Sequence, residues 1–119
     1  MSHVLVIEDD TWQAEVLAQQ LVRHGFTAEI ATDGLMAFTA IDAHTPDLIV
    51  LDMMLPGPNG IAFLHELRSH ADLSGIPVII CSAQQLELKS LQPYGVVALL
   101  DKATMQPSDV AEAARKALP

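Results

Sequence analysis

Four apolar runs of strand length each end in a residue that can do chemistry, and this pattern constrains the fold more than any other feature of the chain. Asp47-Leu48-Ile49-Val50-Leu51 runs into Asp52, Val4-Leu5-Val6-Ile7 into Glu8-Asp9-Asp10, Pro77-Val78-Ile79-Ile80 into Cys81-Ser82, and Val96-Val97-Ala98-Leu99-Leu100 into Asp101-Lys102. Parallel strands place their C-terminal ends side by side, and open α/β sheets build their sites along that edge. Three acids, a hydroxyl and an ammonium are therefore expected to converge.

Strand-length apolar runs alternate with helical periods about five times, which predicts an α/β fold: one doubly wound five-stranded parallel sheet with helices on both faces. The runs at 47–52 and 77–81 are apolar at odd and even positions alike, so helices must cover both faces of the sheet. The first helix is expected from Asp10 or Thr11, with Asp10 as its cap, Ala14, Leu17, Ala18 and Leu21 on one face, and a stop at Gly25. The second should begin at Asp33-Gly34 and end before Pro46. The third should run from Asn59-Gly60 towards His70, and the last should follow Pro107-Ser108 with Val110, Ala114, Ala117 and Leu118 inward. Between Ser82 and Lys102, Pro93 and Gly95 leave room only for a short helix from Gln84 to about Gln92, in a segment expected to be mobile.

The chain of 119 residues, half of them hydrophobic, suits one domain spanning 1–119 with no room for an output domain. Its formal charge of −9 argues against unaided binding to nucleic acid or an anionic membrane, and favours a protein partner or a cation. The single Cys81 cannot form an internal disulfide, and no apolar stretch is long enough to span a bilayer, so a cytoplasmic location is expected. Cys81 reads as a small core residue and the histidines 3, 24, 44, 65 and 70 as exposed surface residues; Trp12 reads as packing over the first helical turn.

Carboxylates at Glu8, Asp9 and Asp52 would repel one another and raise their pKa values unless a cation is present. Magnesium suits such a cluster, because it takes oxygen ligands and keeps several waters.

The acid pair, the central aspartate, the turn Leu55-Pro56-Gly57 with Gly60, and the terminal Ser82 and Lys102 together resemble the receiver domain of bacterial two-component response regulators. The resemblance covers essentially the whole chain and implies the flavodoxin-like receiver fold. It implies Asp52 as phosphoacceptor, Glu8 and Asp9 as the acid pair holding Mg2+, the backbone carbonyl of Met54 as a further metal ligand, and Ser82 and Lys102 as phosphate-binding groups. The implied function is a single-domain response regulator, phosphorylated by a sensor histidine kinase or phosphotransfer protein and signalling to a downstream protein target. It would catalyse only its own phosphotransfer and dephosphorylation, as a signalling domain rather than a turnover enzyme. Two rivals are a pseudo-receiver that only binds partners and an aspartyl-phosphate phosphohydrolase. The second is opposed by Met54, which stands where such hydrolases carry another acid. Two departures from the family stand out: Leu99 replaces a common aromatic, and Ala103 follows Lys102 in place of the usual proline.

Overall fold

The computed structural model describes residues 2–57 and 59–119; Pro58, inside the expected turn, lies outside them. The order of elements is β1 (His3–Ile7), α1 (Thr11–Arg23), β2 (Thr27–Ala31), α2 (Gly34–Ala43), β3 (Leu48–Asp52), α3 (Gly60–Ser69), β4 (Val78–Ser82), α4 (Leu88–Leu91), a 3₁₀ turn (Gln92–Tyr94), β5 (Val96–Asp101) and α5 (Asp109–Ala117). All strands are parallel, in the order β2-β1-β3-β4-β5. None of the helices among the described residues is long and apolar enough to cross a membrane.

Alternation along the strands builds two cores. Leu5, Ile7, Ile49, Leu51 and Ile80 face α2 and α3, where Ile41, Phe63, Leu64 and Leu67 meet them. Val4, Val6, Leu48, Val50, Ile79 and Cys81 face the other way, against Leu17 and Leu21 of α1 and Val110 and Ala114 of α5. Every residue of β3 and β4 is buried, as their apolar runs require. Each fully buried leucine or isoleucine contributes about 2 kcal/mol of transfer free energy, so the paired cores dominate the stability of the sheet.

Side-chain caps start three of the helices where the sequence predicts. Asp10 accepts from the Gln13 amide at 3.1 Å, Asp33 from Met36 at 2.7 Å, and Asn59 from Ala62 at 3.1 Å, which satisfies first-turn donors that otherwise lack partners. The fourth helix departs from expectation: it begins at Leu88, not Gln84, and spans four residues. The cause is local. The Ser82 hydroxyl accepts the Gln84 amide at 3.0 Å, which turns the chain just after β4, and Glu87 caps the helix without a side-chain hydrogen bond.

The histidines correct a second expectation. His44, His65 and His70 are exposed, but the His3 side chain is only 11% exposed, its ring stacked on His44 with centroids 4.2 Å apart. Its Nδ1 lies 2.7 Å from the Thr27 hydroxyl, and its amide donates to Asp47 at 2.7 Å. His24 is also partly buried, its Nδ1 2.7 Å from the Gln20 carbonyl.

Candidate functional site

Strand register sets the site in one row. Ile7 pairs with Leu51, so Glu8 emerges level with Asp52; Asp52 pairs with Cys81 and Ser82 with Asp101, so the hydroxyl and Lys102 follow in line. The backbone pins both ends of this row: the Glu8 amide donates to the Ala31 carbonyl and the Lys102 amide to the Ser82 carbonyl, each at 3.0 Å.

Among the described residues, Glu8, Asp52 and Ser82 are the buried polar ones, while Asp9 is exposed at the mouth. One carboxylate oxygen from each of Glu8, Asp9 and Asp52 lies within 4.8 Å of the others. Lys102 reaches into this cluster. Its ammonium pairs with Glu8 Oε1 and stands 3.4 Å from Asp52 Oδ2. The Met54 amide donates to Asp52 Oδ1 at 3.1 Å, so the aspartate is held from both sides.

Three carboxylates face one ammonium, and the electrostatics follow. Burial pushes the Glu8 carboxyl up to about 7; the Lys102 hydrogen bond opposes this, and hydrogen bonding with Asp52 and Asp9 and the charge of Asp52 add to it. The expectation that repulsion would raise carboxyl pKa values therefore holds for Glu8 in direction, but loss of water is the larger cause. Lys102 is raised above the usual ammonium range: burial alone would lower it, and its contacts with Glu8 and Asp52 outweigh burial. Burial takes the Cys81 thiol up to about 12, which keeps it an inert core residue.

The loop after Asp52 is shaped by two glycines. Gly57 has φ +68°, a left-handed conformation that glycine adopts without penalty. Gly60 is needed for space, since a Cβ there would lie 2.6 Å from Met53 Sδ and 2.7 Å from Met53 Cα. This close approach ties the start of α3 to the residue that follows Asp52, and the Gly60 amide donates to the Met53 carbonyl at 3.2 Å. Met54 itself is 56% exposed.

Oxygen donors from Glu8, Asp9 and Asp52, close together and with one of them open to solvent, fit a hard divalent cation such as magnesium. Because Glu8 is engaged by Lys102, Asp9 and Asp52 are the better placed direct donors. Beside Lys102 lies an apolar groove of about 450 Å3 lined by Trp12, Val16, Leu17, Met105 and Pro107. Trp12 is 74% exposed at its rim rather than packed down on the helix. The pairing of Lys102 with Glu8 and the apolar wall beside it have no signature in the sequence, because they join the end of β1 and the first helix to the segment that follows the last strand. Leu99, paired with Ile80, packs partly buried against the core to which Ile80 belongs, and the Ala103 amide donates to Asp101 at 2.8 Å.

Comparison with known proteins agrees with this geometry. The profile of the response regulator receiver domain matches residues 4–115. The DNA-binding response regulator MtrA of Mycolicibacterium paratuberculosis is 41% identical over 81 residues, covering 68% of this chain and 35% of the relative. The chain thus spans about a third of the length of that relative. Among solved structures, the receiver domain of Francisella response regulator 1452 superposes with a TM-score of 0.85 at 27% identity, covering 98% of this chain and 96% of that one. A sensor protein from Polaromonas sp. JS666 shares the fold with a TM-score of 0.88 at 22% identity, covering 98% and 94%.

Proposed function

The chain belongs to the response regulator receiver domain family, and from that premise we propose that Asp52 accepts a phosphoryl group from a phosphohistidine of a sensor histidine kinase or phosphotransfer protein, in a magnesium-dependent reaction. The observation that supports this most is the convergence on Asp52: its carboxylate is buried, held by the Met54 amide at 3.1 Å, and faced by Lys102 at 3.4 Å beside Glu8 and Asp9.

In this reading an Asp52 oxygen attacks phosphorus in line, the phosphorus–nitrogen bond breaks, and the imidazole leaves with the electron pair. Positioning supplies most of the catalysis. The Met54 amide and the Lys102 ammonium fix the carboxylate, and Lys102 moves its charge from Glu8 towards the phosphoryl oxygens as they arrive. Ser82 donates its hydroxyl to one of those oxygens. Bound magnesium, held by Asp9, Asp52 and the Met54 carbonyl with Glu8 acting more through water, would neutralise charge developing on the phosphoryl group. The apolar groove beside Lys102, with Trp12 at its rim, is where the donor protein would seat. The reaction belongs to the cytoplasm, and the phosphorylated domain acts through contact with a downstream protein rather than by turning over a substrate.

Incubation with acetyl phosphate and magnesium, followed by intact mass measurement, tests the proposal. The protein should gain one phosphoryl group, and neither Asp52→Asn nor a sample with magnesium chelated should do so. A wild-type chain that stays unmodified is a pseudo-receiver; labelling that persists in Asp52→Asn places the nucleophile elsewhere, with Asp10 next in line.

A further inference from the structure

Helix α1 presents two different sides to solvent. Trp12, Gln13 and Val16 turn towards Met105 and Pro107, where the groove beside Lys102 lies. At about 100° per residue, Glu15, Ala18 and Val22 fall on the other side, over the edge strand β2. There they line a second groove, of about 440 Å3, together with Gln19, Arg23 and Ile30. The buried stripe of Ala14, Leu17 and Leu21 holds the helix to the sheet between the two grooves. Nothing in the chain covers the apolar part of the second one: Val22 is 57% exposed, and Ile30 is half-buried in the floor.

Charge singles this side out. In a chain of formal charge −9, it carries one acid and one base, Glu15 and Arg23, both exposed. Among the described residues, neither has an ion-pair partner within the chain. Strand β2 adds no charge to the groove. Its Ala28 and Ile30 face α1, whereas by alternation Glu29 points to the other side of the sheet, 3.5 Å from His3 Nε2. Glu15 and Arg23 are about 12 Å apart along the helix axis, with Ala18 and Val22 between them. Such a strip, acid then apolar then base, is its own complement. Turned end for end about a two-fold axis, a second copy lays its Val22 and Ala18 on Ala18 and Val22, while Glu15 and Arg23 each meet their opposite. The small Ala18 lets the two helix axes approach closely.

We infer that this chain pairs with a second copy of itself through the side of α1 that overlies β2, in a symmetric dimer that leaves the groove at Trp12 and Lys102 open. The like net charge of the two copies opposes association and the strip is small, so the pairing is weak, with a Kd of about 0.1 mM. This stands independently of phosphorylation.

Sedimentation velocity of the 15N-labelled chain from micromolar to millimolar concentration tests the inference, with amide spectra recorded over the same dilution series. The chain should dimerise reversibly, and dilution should move the signals of Ala18, Val22 and Ile30. Glu15→Arg and Arg23→Glu should each weaken the dimer at least about tenfold, because symmetry makes every substitution count twice; Glu15→Arg should do so even though it lowers the overall negative charge. An equimolar mixture of these two variants should recover the affinity of the wild type, since each copy then meets its opposite charge at both contacts. That recovery separates pairing geometry from any loss of fold. Val22→Asp should leave the chain folded and monomeric. A wild-type chain that stays monomeric at millimolar concentration overturns the inference. So do dilution shifts confined to other surfaces, a variant mixture no tighter than its components, or a Val22→Asp chain that dimerises like the wild type.

Discussion

Lys102 pairs with Glu8 more closely than with Asp52: its ammonium contacts Glu8 Oε1 and stands 3.4 Å from Asp52 Oδ2. The lysine is therefore held in reserve by a buried acid, within a short swing of the carboxylate proposed to be phosphorylated. Both partners are largely buried, so the pair is sensitive to removal of either charge.

Lys102→Met should destabilise the magnesium-free protein by about 2 kcal/mol at pH 8, because Glu8 and Asp52 lose their nearest cation. The loss should shrink at pH 5, where Glu8 holds a proton. Urea unfolding at the two pH values measures both terms; an equal loss at each would remove Glu8 from the account.

Glu8 gives the chain an unusual pH dependence. Its carboxyl is raised from 4.5 to about 7 by burial, so the folded state holds a proton that the unfolded chain has released. Stability of the magnesium-free protein should therefore be greatest below about pH 4.5 as far as this group is concerned, and fall as pH rises through about 7, by up to about 1.4 kcal/mol per pH unit. Denaturant melts with chelator present at pH 5, 6, 7 and 8 should show the decline. Glu8→Gln should flatten it, and magnesium should restore stability at the alkaline end by binding the folded state.

Gly60→Ala should cost about 2 kcal/mol, since its Cβ would overlap Met53 at both Sδ and Cα and the backbone must yield. Gly34→Ala is the control. There the nearest atom is Phe63 Cδ1 at 3.7 Å, an ordinary contact, and thermal melting should show little change or a small gain.

Much of the site was legible because it depends on strand ends. Apolar runs at Val4–Ile7, Leu48–Leu51 and Val78–Cys81 announce buried parallel strands, and whatever follows each run must lie on the same edge. The caps Asp10, Asp33 and Asn59 were readable for a similar reason, since a capping side chain bonds an amide three residues on. The start of α4 was not readable, because the Ser82 hydroxyl takes the Gln84 amide and replaces a helical turn by a bend. Nor was the choice Lys102 makes between two acids, because both are buried and only the three-dimensional placement of the ammonium separates them. The stacking of His3 on His44 joins residues from β1 and the end of α2, a contact that no local pattern records.

Met54 bears on the lifetime of the proposed acyl phosphate. Its thioether cannot orient a water for attack on phosphorus, whereas an amide at the same exposed position could. Met54→Asn should lose phosphate about tenfold faster than wild type, equivalent to about 1.4 kcal/mol of barrier. The time course of intact mass after removal of acetyl phosphate reads this directly, and equal or slower loss would rule Met54 out as the brake. With Leu99 in place of an aromatic, phosphorylation should act by ordering the loop and short helix from Ala83 to Gln92. Hydrogen exchange over 83–95, with and without a phosphoryl mimic, should show increased protection.

The ion pair between Lys102 and Glu8 spans 94 positions of the chain. A nascent polypeptide that has emerged as far as β4 already carries Glu8, Asp9 and Asp52 at the ends of two strands but not the Lys102 ammonium that faces them. Until the last strand is laid down beside β4, these acids lack the ammonium that faces them, so their repulsion should disfavour premature closure of the sheet. Division of the gene between β4 and β5 should accordingly yield two fragments that fold poorly apart, and that assemble more readily when magnesium substitutes for the missing lysine.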